Sequence, residues 1–411
     1  MKAASGDTSG RSPYSNLDEA LRTKNFPALD TFIFLSECNK LDMKVFSTAS
    51  LATLTTLILT ADVSILFEDR ATFFSGTPAL QVLHLHFNVP MNMLLKKTSI
   101  LSQAFAAGQL QSLREIKLEL KGDVNTTRFV SPGADRPYGS FVANNVERLS
   151  IAFSGPCYLS YDQSLTSLPA SLVMNRFQRT TTLNLSDVRL EEWSEVEDSA
   201  LLHLRSIRLV LDRETWIPLS RMKNLEALCV KTPGFDIDGR ARPRRDVVTG
   251  LFRHPSLKHL KLEDEKSLKF IADVGCSMKA VSSGIISLSF GRFLEITTPE
   301  DIETFAQILR ALPRLQHVSF HDTAVPYPDI VAPILTTYGG NLSSVCFSEF
   351  LGEKRDRESI LLCSPQLNKL ASLLRGVWVV SGESIICPDK PKAGKRFERF
   401  NEKSAFFGGH C

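Results

Sequence analysis

Apolar residues recur along this chain in the pattern apolar-x-x-apolar-x-apolar, about thirteen times and at intervals of 21 to 34 residues. Clear copies are Leu54-x-x-Leu57-x-Leu59, Leu80-x-x-Leu83-x-Leu85 and Leu257-x-x-Leu260-x-Leu262. A unit of this length holds one short strand and one return segment, and it can bury its apolar edge only by stacking on its neighbours. The pattern therefore predicts an α/β solenoid, bent into a horseshoe or arc, with a parallel sheet on the concave face and helices and irregular loops on the convex face.

The middle apolar residue of each copy marks one predicted strand, and the markers are about 29 residues apart on average. In chain order they are Phe32, Leu57, Leu83, Ile116, Leu149, Leu183, Ile207, Leu228, Leu260, Leu288, Val318, Val345 and Val377. We expect one repeat domain over residues 26–387, preceded by a cap or a disordered segment at 1–25 and followed by a disordered basic tail at 388–411.

The return segments are predicted to be helical where apolar residues recur at helical spacing. The clearest is 298–312, in which Thr298 is a suitable N-cap residue and Pro299 suits the first helical position. Weaker helical patterns cover 16–24, 92–107, 246–253 and 328–338. Glycine and proline are concentrated in 122–141 and 154–170, and this composition predicts loops there.

Composition is that of an ordinary globular protein, with 411 residues of which 43% are hydrophobic and 23% charged. The formal charge of +3 predicts no general attraction to nucleic acid or to anionic membranes. The sequence shows no secretory signal and no run of eighteen apolar residues, so we expect a monomer in the cytoplasm or nucleus with no membrane partner. The eight cysteines are scattered without a Cys-x-x-Cys pair, which favours reduced thiols.

The positions that flank the apolar pattern are predicted to form the exposed inner face, because neighbouring residues on a strand point in opposite directions. Charged, imidazole and aromatic side chains at these positions are the candidate partner contacts. They are His84, His86, Lys117, Arg148, Arg208, Lys261, His317, His321 and Trp378.

A basic loop and an acidic segment interrupt the repeats. The loop carries Arg240, Arg242, Arg244 and Arg245, which can bind a phosphate or an acidic partner segment, but the favoured interpretation is a solvated loop whose charge is partly offset by nearby aspartates. The acidic segment 191–198, which contains one tryptophan, is predicted to be a solvated helix face.

Two histidine pairs raise the alternative of a metal-dependent protein or an enzyme. His84 lies beside His86 and His317 beside His321 on the same strand face, and paired imidazoles can bind a metal. No carboxylate or cysteine lies at ligand spacing beside either pair, and motifs for nucleotide, zinc or nucleophile chemistry are missing from the sequence. We therefore expect neither an enzyme nor a cofactor.

On the repeats listed above, the chain resembles the leucine-rich-repeat superfamily, and in particular the degenerate repeats of F-box substrate receptors, over residues 26–387. The resemblance implies a protein partner on the concave face and, for a ubiquitin-ligase substrate receptor, a cullin-ligase adaptor. Two features depart from the family. Its repeat asparagine appears only at Asn88, with Asp62 and Asp212 as partial substitutes, and the roughly 25 residues before the first repeat are too few for an F-box. Either that domain was lost, or it was never present, or it lies upstream of this start.

Overall fold

The computed structural model describes residues 26, 28–34, 51–61, 74–87, 100–120, 142–153, 166–186, 188–210, 216–231, 245–263, 283–291, 298–321, 327–338, 341–348, 369–370, 372–374, 376–381 and 384–386. The chain divides into two compact units, Met1–Leu204 and Arg205–Cys411. Each unit is built from short parallel strands joined by longer return segments.

The described residues of the first unit form a parallel sheet of six strands that lie side by side in chain order. These strands are β1 (Thr31–Phe34), β2 (Thr56–Ala61), β3 (Val82–Phe87), β4 (Glu115–Leu120), β5 (Arg148–Phe153) and β7 (Thr182–Ser186). A separate parallel pair consists of β6 (Thr166–Pro169) and β8 (Val188–Glu191). The described helices are α1 (Ile100–Ala106), α2 (Ala170–Met174) and α3 (Asp198–His203), with a 3-10 turn at Trp193–Glu195.

In the second unit the described residues form seven parallel strands in chain order, and one antiparallel strand follows them. They are β9 (Ser206–Val210), β10 (Ala227–Lys231), β11 (His259–Leu262), β12 (Ser287–Phe290), β13 (His317–His321), β14 (Ser344–Ser348), β15 (Gly376–Ser381) and the antiparallel β16 (Ser384–Ile386). The described helices are α4 (Arg245–Arg253), α5 (Pro299–Ala311) and α6 (Tyr327–Tyr338), with a 3-10 turn at Leu219–Arg221.

The predicted strand register is confirmed to the residue within both units. In the first unit Phe32 pairs with Leu57, and the marker residues then continue in register through Leu183. In the second unit they run in register from Ile207 to Val377. Because one strand per repeat stacks in parallel on the next, each unit is an α/β leucine-rich-repeat solenoid, as the apolar pattern predicts.

A hydrogen-bond ladder at the turn before each strand joins successive repeats. The amides of Arg114 and Glu115 both donate to the carbonyl of Gln81, at 2.8 and 3.0 Å, and the same arrangement recurs in both units. A polar side chain just ahead of the apolar pattern adds a second link, since Asn145 Nδ2 lies 2.7 Å from the carbonyl oxygens of Leu110 and Gln111 and 2.8 Å from that of Leu113. Equivalent bonds reach the preceding repeat from Thr53, Ser112, Ser256 and Asn341. The residue just ahead of the apolar pattern therefore links neighbouring repeats in both units.

An aromatic column fills the core of the second unit. Phe290, Phe320 and Phe347 stand at equivalent positions of adjacent strands, and their rings stack with centroids 5.3 Å apart. Phe305 of α5 packs edge-on against Phe290 and Phe320, at 5.6 and 6.0 Å. Aromatic pairs of this geometry add to the stability that burial already supplies.

Helix predictions are confirmed for the clearest segments. The helix α5 begins with a capping box in which Thr298 accepts from the Asp301 amide and Asp301 accepts from the Thr298 amide. The helices α4 and α6 match 246–253 and 328–338, and α1 lies within 92–107, of which 92–99 are outside the described residues. The predictions for 1–25, 122–141 and 388–411 fall outside the described residues.

Two local predictions are wrong. The loop expected at 154–170 is wrong for 166–169, which form strand β6 because buried Leu168 pairs with Leu190 of β8, whereas 154–165 lie outside the described residues. The expected solvated helix face at 191–198 contains Trp193, whose ring is buried and whose Nε1 donates to the Leu190 carbonyl at 3.1 Å. The tryptophan is therefore a core residue of the first unit.

Candidate protein-interaction surface

The predicted contact residues are distributed over both units. In the first unit His84 and His86 lie on β3, Lys117 on β4 and Arg148 at the start of β5. In the second unit Arg208 lies on β9, Lys261 on β11, and both His317 and His321 on β13. Arg245 opens α4 and Trp378 lies on β15, whereas Arg240, Arg242 and Arg244 lie outside the described residues.

Two glutamates on β4 organise the charged face of the first unit. Glu115 accepts from His84 Nε2 at 3.0 Å through one carboxylate oxygen and from Arg148 Nε at 2.6 Å through the other. Glu119 accepts from His86 Nδ1 at 2.6 Å through one carboxylate oxygen and from Lys117 Nζ at 2.5 Å through the other. Each carboxylate therefore holds one imidazole of β3 and one cation. We call these six side chains the charged face.

The glutamates were part of the predicted inner face but not of the predicted contact set. The sequence shows only that the two glutamates alternate with apolar residues. Which side chains they contact depends on which strands lie next to β4. The opposite charges of β4 and β5 were the available signal, since Glu115 and Arg148 occupy equivalent positions in successive repeats.

The environment of the charged face keeps both glutamates ionised. The hydrogen bond from His84 contributes most to lowering the pKa of Glu115 to about 2, and Arg148 adds to it against the opposing effect of burial. Burial raises the pKa of Glu119, but the hydrogen bond from Lys117 and the charges of His86 and Lys117 together outweigh it and lower the pKa. Burial chiefly lowers the pKa of His86, so this imidazole is neutral at neutral pH.

Exposure separates the anions from the cations of the charged face. The Glu115 and Glu119 side chains are each 26% exposed, whereas that of Lys117 is 38% exposed and that of Arg148 is 56% exposed. The cationic side chains are therefore more exposed than the carboxylates that they contact.

The second unit uses a carboxylate differently. Arg208 on β9 reaches past β10 to Glu263, just after β11, with Nε at 3.1 Å and Nη2 at 2.7 Å from the same oxygen. Lys261 Nζ lies 3.6 Å from the other oxygen, and the side chains of Lys261 and Glu263 are each only 13% exposed. Cys229 of β10 pairs in register with both Arg208 and Lys261 and is fully buried, and this burial raises the pKa of its thiol well above the usual value.

Several inner-face positions of the second unit are buried, which corrects the prediction that flanking positions are exposed. They are Ser206, Ala227, Cys229, Ser289, Ser319, Ser344 and Cys346. Their side chains are small, so larger neighbours on the same face can cover them. Ser319 shows this: it donates to Ser289 Oγ at 2.7 Å and accepts from His321 Nε2 at 3.3 Å.

The histidine pairs do not form a metal site within the described part of the chain. No group of three or more His, Cys, Asp or Glu side chains stands close enough there to hold a metal ion. His84 and His86 donate to Glu115 and Glu119, and His317 Nδ1 lies 2.6 Å from the Ser344 hydroxyl. The described residues also include no helix that is long and apolar enough to cross a membrane.

Comparisons with known proteins find similarity to solved structures at low identity. No protein-family profile and no curated protein sequence matches the chain. Among solved structures, the chain is similar to the leucine-rich repeat-containing protein LegL7 from Legionella pneumophila, with 15% identity, a TM-score of 0.42, and coverage of 90% of this chain and 96% of that one.

A second similar structure is TLR13 in its complex with ssRNA13. The identity is 13%, the TM-score is 0.31, and the match covers 73% of this chain and 43% of that one. The leucine-rich-repeat architecture of the two units follows from their own strand register, which pairs every marker residue with its equivalent in the neighbouring repeat.

Proposed function

We propose that this protein is a non-enzymatic interaction module of the cytoplasm or nucleus, and that it binds a protein partner on the charged face of its first unit. The observation that carries the proposal is the pair of networks on β3, β4 and β5, in which two mostly buried carboxylates hold the more exposed side chains of Lys117 and Arg148. Side chains fixed before binding lose less entropy when a partner docks, which favours recognition.

The cations of the second unit support the fold more than they offer contacts. Arg208 and Lys261 share Glu263, and the three side chains are mostly buried. Replacing both cations by glutamate would bring three carboxylates together and disturb the sheet itself. The first unit is therefore the place to test binding, and His317, His321 and Trp378 remain proposed secondary contacts.

A photo-crosslinking amino acid tests the surface directly. We would place it at Ile58, a half-buried position on the same face as His84, and in a matched protein at Arg310, which is exposed on α5. The expected result is one protein that crosslinks from position 58 in cells, is identified by mass spectrometry and binds the purified protein. If crosslinked proteins arise from position 310 only, the proposed surface is wrong.

A finer proposal is that the module selects substrates for a ubiquitin ligase. The resemblance of its degenerate repeats to those of F-box receptors supports this role. Purification from native cells should then recover a cullin-ligase adaptor together with the partner. Recovery of the partner without any adaptor would support the interaction module and contradict the ligase role.

A further inference from the structure

We infer that Lys117, Ser150 and Arg148 form an anion-binding subsite that takes the carboxylate of an acidic segment in the protein partner. This inference rests on the proposed function and specifies the chemistry of the partner. The three side chains come from two adjacent strands, β4 and β5, and all of them lie on the flanking face.

Strand register sets the geometry of the subsite. Lys117 pairs with Ser150, and Glu115 pairs with Arg148, so Ser150 lies directly across from Lys117 and Arg148 lies diagonally from it. With strands about 4.8 Å apart and residues two positions apart separated by about 6.6 Å, the Lys117 and Arg148 backbones are about 8 Å apart. Two long cationic side chains at that separation can converge on one carboxylate, with the serine hydroxyl between them.

The donors of the subsite have unused capacity. Arg148 uses its Nε for Glu115, and its terminal nitrogens make no further hydrogen bond to the described residues. Within the described ranges Lys117, which has three N–H groups, pairs only with Glu119, and the Ser150 hydroxyl makes no hydrogen bond. Glu115 and Glu119, in contrast, each already accept from two donors. The groups on this face that can still form hydrogen bonds are therefore donors, and they suit an anion, which can only accept.

The surrounding charges favour a discrete acidic group over a nucleic-acid backbone. Glu115, Glu119 and Glu147 lie around the subsite, and Glu147 is itself paired with Arg114 at 3.1 Å. A polyanion with one charge per nucleotide would have to run over these carboxylates, whereas a single side-chain carboxylate can sit between Lys117 and Arg148. The nearly balanced charge of the whole chain, +3, supplies no wider attraction to a polyanion.

An apolar contact on the same face gives the partner segment a second feature. Ile33 is 44% exposed and pairs with Ile58, and both lie in register with His84 and Lys117. Three strand spacings of about 4.8 Å put Ile33 roughly 14 Å from Lys117, which about four extended residues can span. The expected segment therefore carries an apolar side chain about four residues from its acidic group.

Labelled peptides and matched charge reversals test the inference. The probes are a short acidic peptide with one leucine four residues from paired aspartates, its asparagine counterpart, and a single-stranded oligonucleotide of similar length. The proteins are the wild type, Lys117→Glu/Arg148→Glu, and the control Arg253→Glu/Arg310→Glu, which makes the same charge change on α4 and α5. Binding is measured by fluorescence anisotropy at low salt, and circular dichroism checks that each variant is folded.

We expect the acidic peptide to bind the wild type and the control alike, and to bind the Lys117/Arg148 variant at least tenfold more weakly. The asparagine peptide should also bind the wild type about tenfold more weakly than the acidic one. If the charge reversal unfolds the protein, Lys117→Gln/Arg148→Gln replaces it with the same expectation.

Three results would overturn the inference. They are equal binding of the acidic and asparagine peptides, acidic-peptide binding that the Lys117/Arg148 variant retains, and oligonucleotide binding that is as tight as that of the acidic peptide. The crosslink from position 58 separates this inference from the proposed function. If the partner still crosslinks in the Lys117/Arg148 variant, the binding surface is supported and the anion-binding subsite is refuted. If the wild type gives no crosslink, the binding surface itself is refuted.

Discussion

Replacing Asn145 by alanine tests whether side chains ahead of the strands hold neighbouring repeats together. The Asn145 amide carries two hydrogens and stands 2.7 to 2.8 Å from three carbonyl oxygens of the turn before β4. Alanine removes both donors and leaves part-buried carbonyl groups without them. Each lost hydrogen bond costs about 1 kcal/mol, and the unsatisfied carbonyls add to this, so we expect the first unit to lose about 2–3 kcal/mol.

Hydrogen exchange and urea denaturation measure this loss. The expected loss should accelerate exchange of the amides that bond to the Arg114 carbonyl, those of Glu147 and Arg148, because these bonds join the same two repeats. The matched variant is Asn145→Ser, since Ser112 and Ser256 each make a single bond from the equivalent position. Serine should therefore recover about half of the loss. An alanine variant within about 0.5 kcal/mol of the wild type would show that the side-chain ladder does not stabilise the repeats.

Three further predictions address the core and the titrating groups. Phe320→Ala interrupts the aromatic column and should cost about 3–5 kcal/mol in urea denaturation, and a loss below about 1 kcal/mol would contradict the packing. Glu263→Gln leaves Arg208 and Lys261 without their carboxylate and should cost about 2–3 kcal/mol, whereas Glu303→Gln on α5 should leave the denaturation midpoint unchanged. Burial lowers the pKa of His254, so stability should fall as pH drops below about 6.5, and His254→Gln should flatten that dependence of the midpoint on pH.

Acidification destabilises the folded protein at His254 because the fold favours the neutral imidazole. The ring is buried, and its Nε2 donates to the Met222 carbonyl at 3.1 Å. In the unfolded chain the imidazole takes up a proton near pH 6.5, whereas in the folded protein it does so only at lower pH. The unfolded state therefore binds more protons as the solution is acidified, which favours unfolding. His86 acts in the same direction, so the pH profile of His86→Gln separates its share.

The strand register could be predicted from the sequence because it depends on one dominant interaction. Each repeat buries three apolar side chains, and a shift of one residue would turn all of them to the opposite face. Phe32, Leu57 and Leu83 therefore align whatever the length of the segments between them. The return segments follow no such rule, since Leu168 found its strand partner in Leu190, on the far side of β7 in the chain.

The pairing of polar side chains could not be predicted because it depends on distances across the sheet that vary with residue size. Arg208 passes β10 and reaches Glu263 across the strand on which the small residue Cys229 lies in register with it. The close approach at the end of β11 also depends on Gly291, where a Cβ atom would lie 2.8 Å from the Glu263 Cα. The sequence shows which inner-face positions are charged and which are small. Only the stacked strands show which of these side chains come into contact.

The two units carry the same repeat but use their carboxylates in opposite ways. In the first unit each glutamate holds one imidazole and one cation, so the charges of Lys117 and Arg148 are positioned and still reach solvent. In the second unit Glu263 pairs with two cations and is itself mostly buried, so the charges of Arg208 and Lys261 are neutralised within the sheet. Charge reversal should therefore weaken binding in the first unit and lower stability in the second. A Lys117/Arg148 variant that binds normally but unfolds at a lower urea concentration than the wild type would contradict this difference.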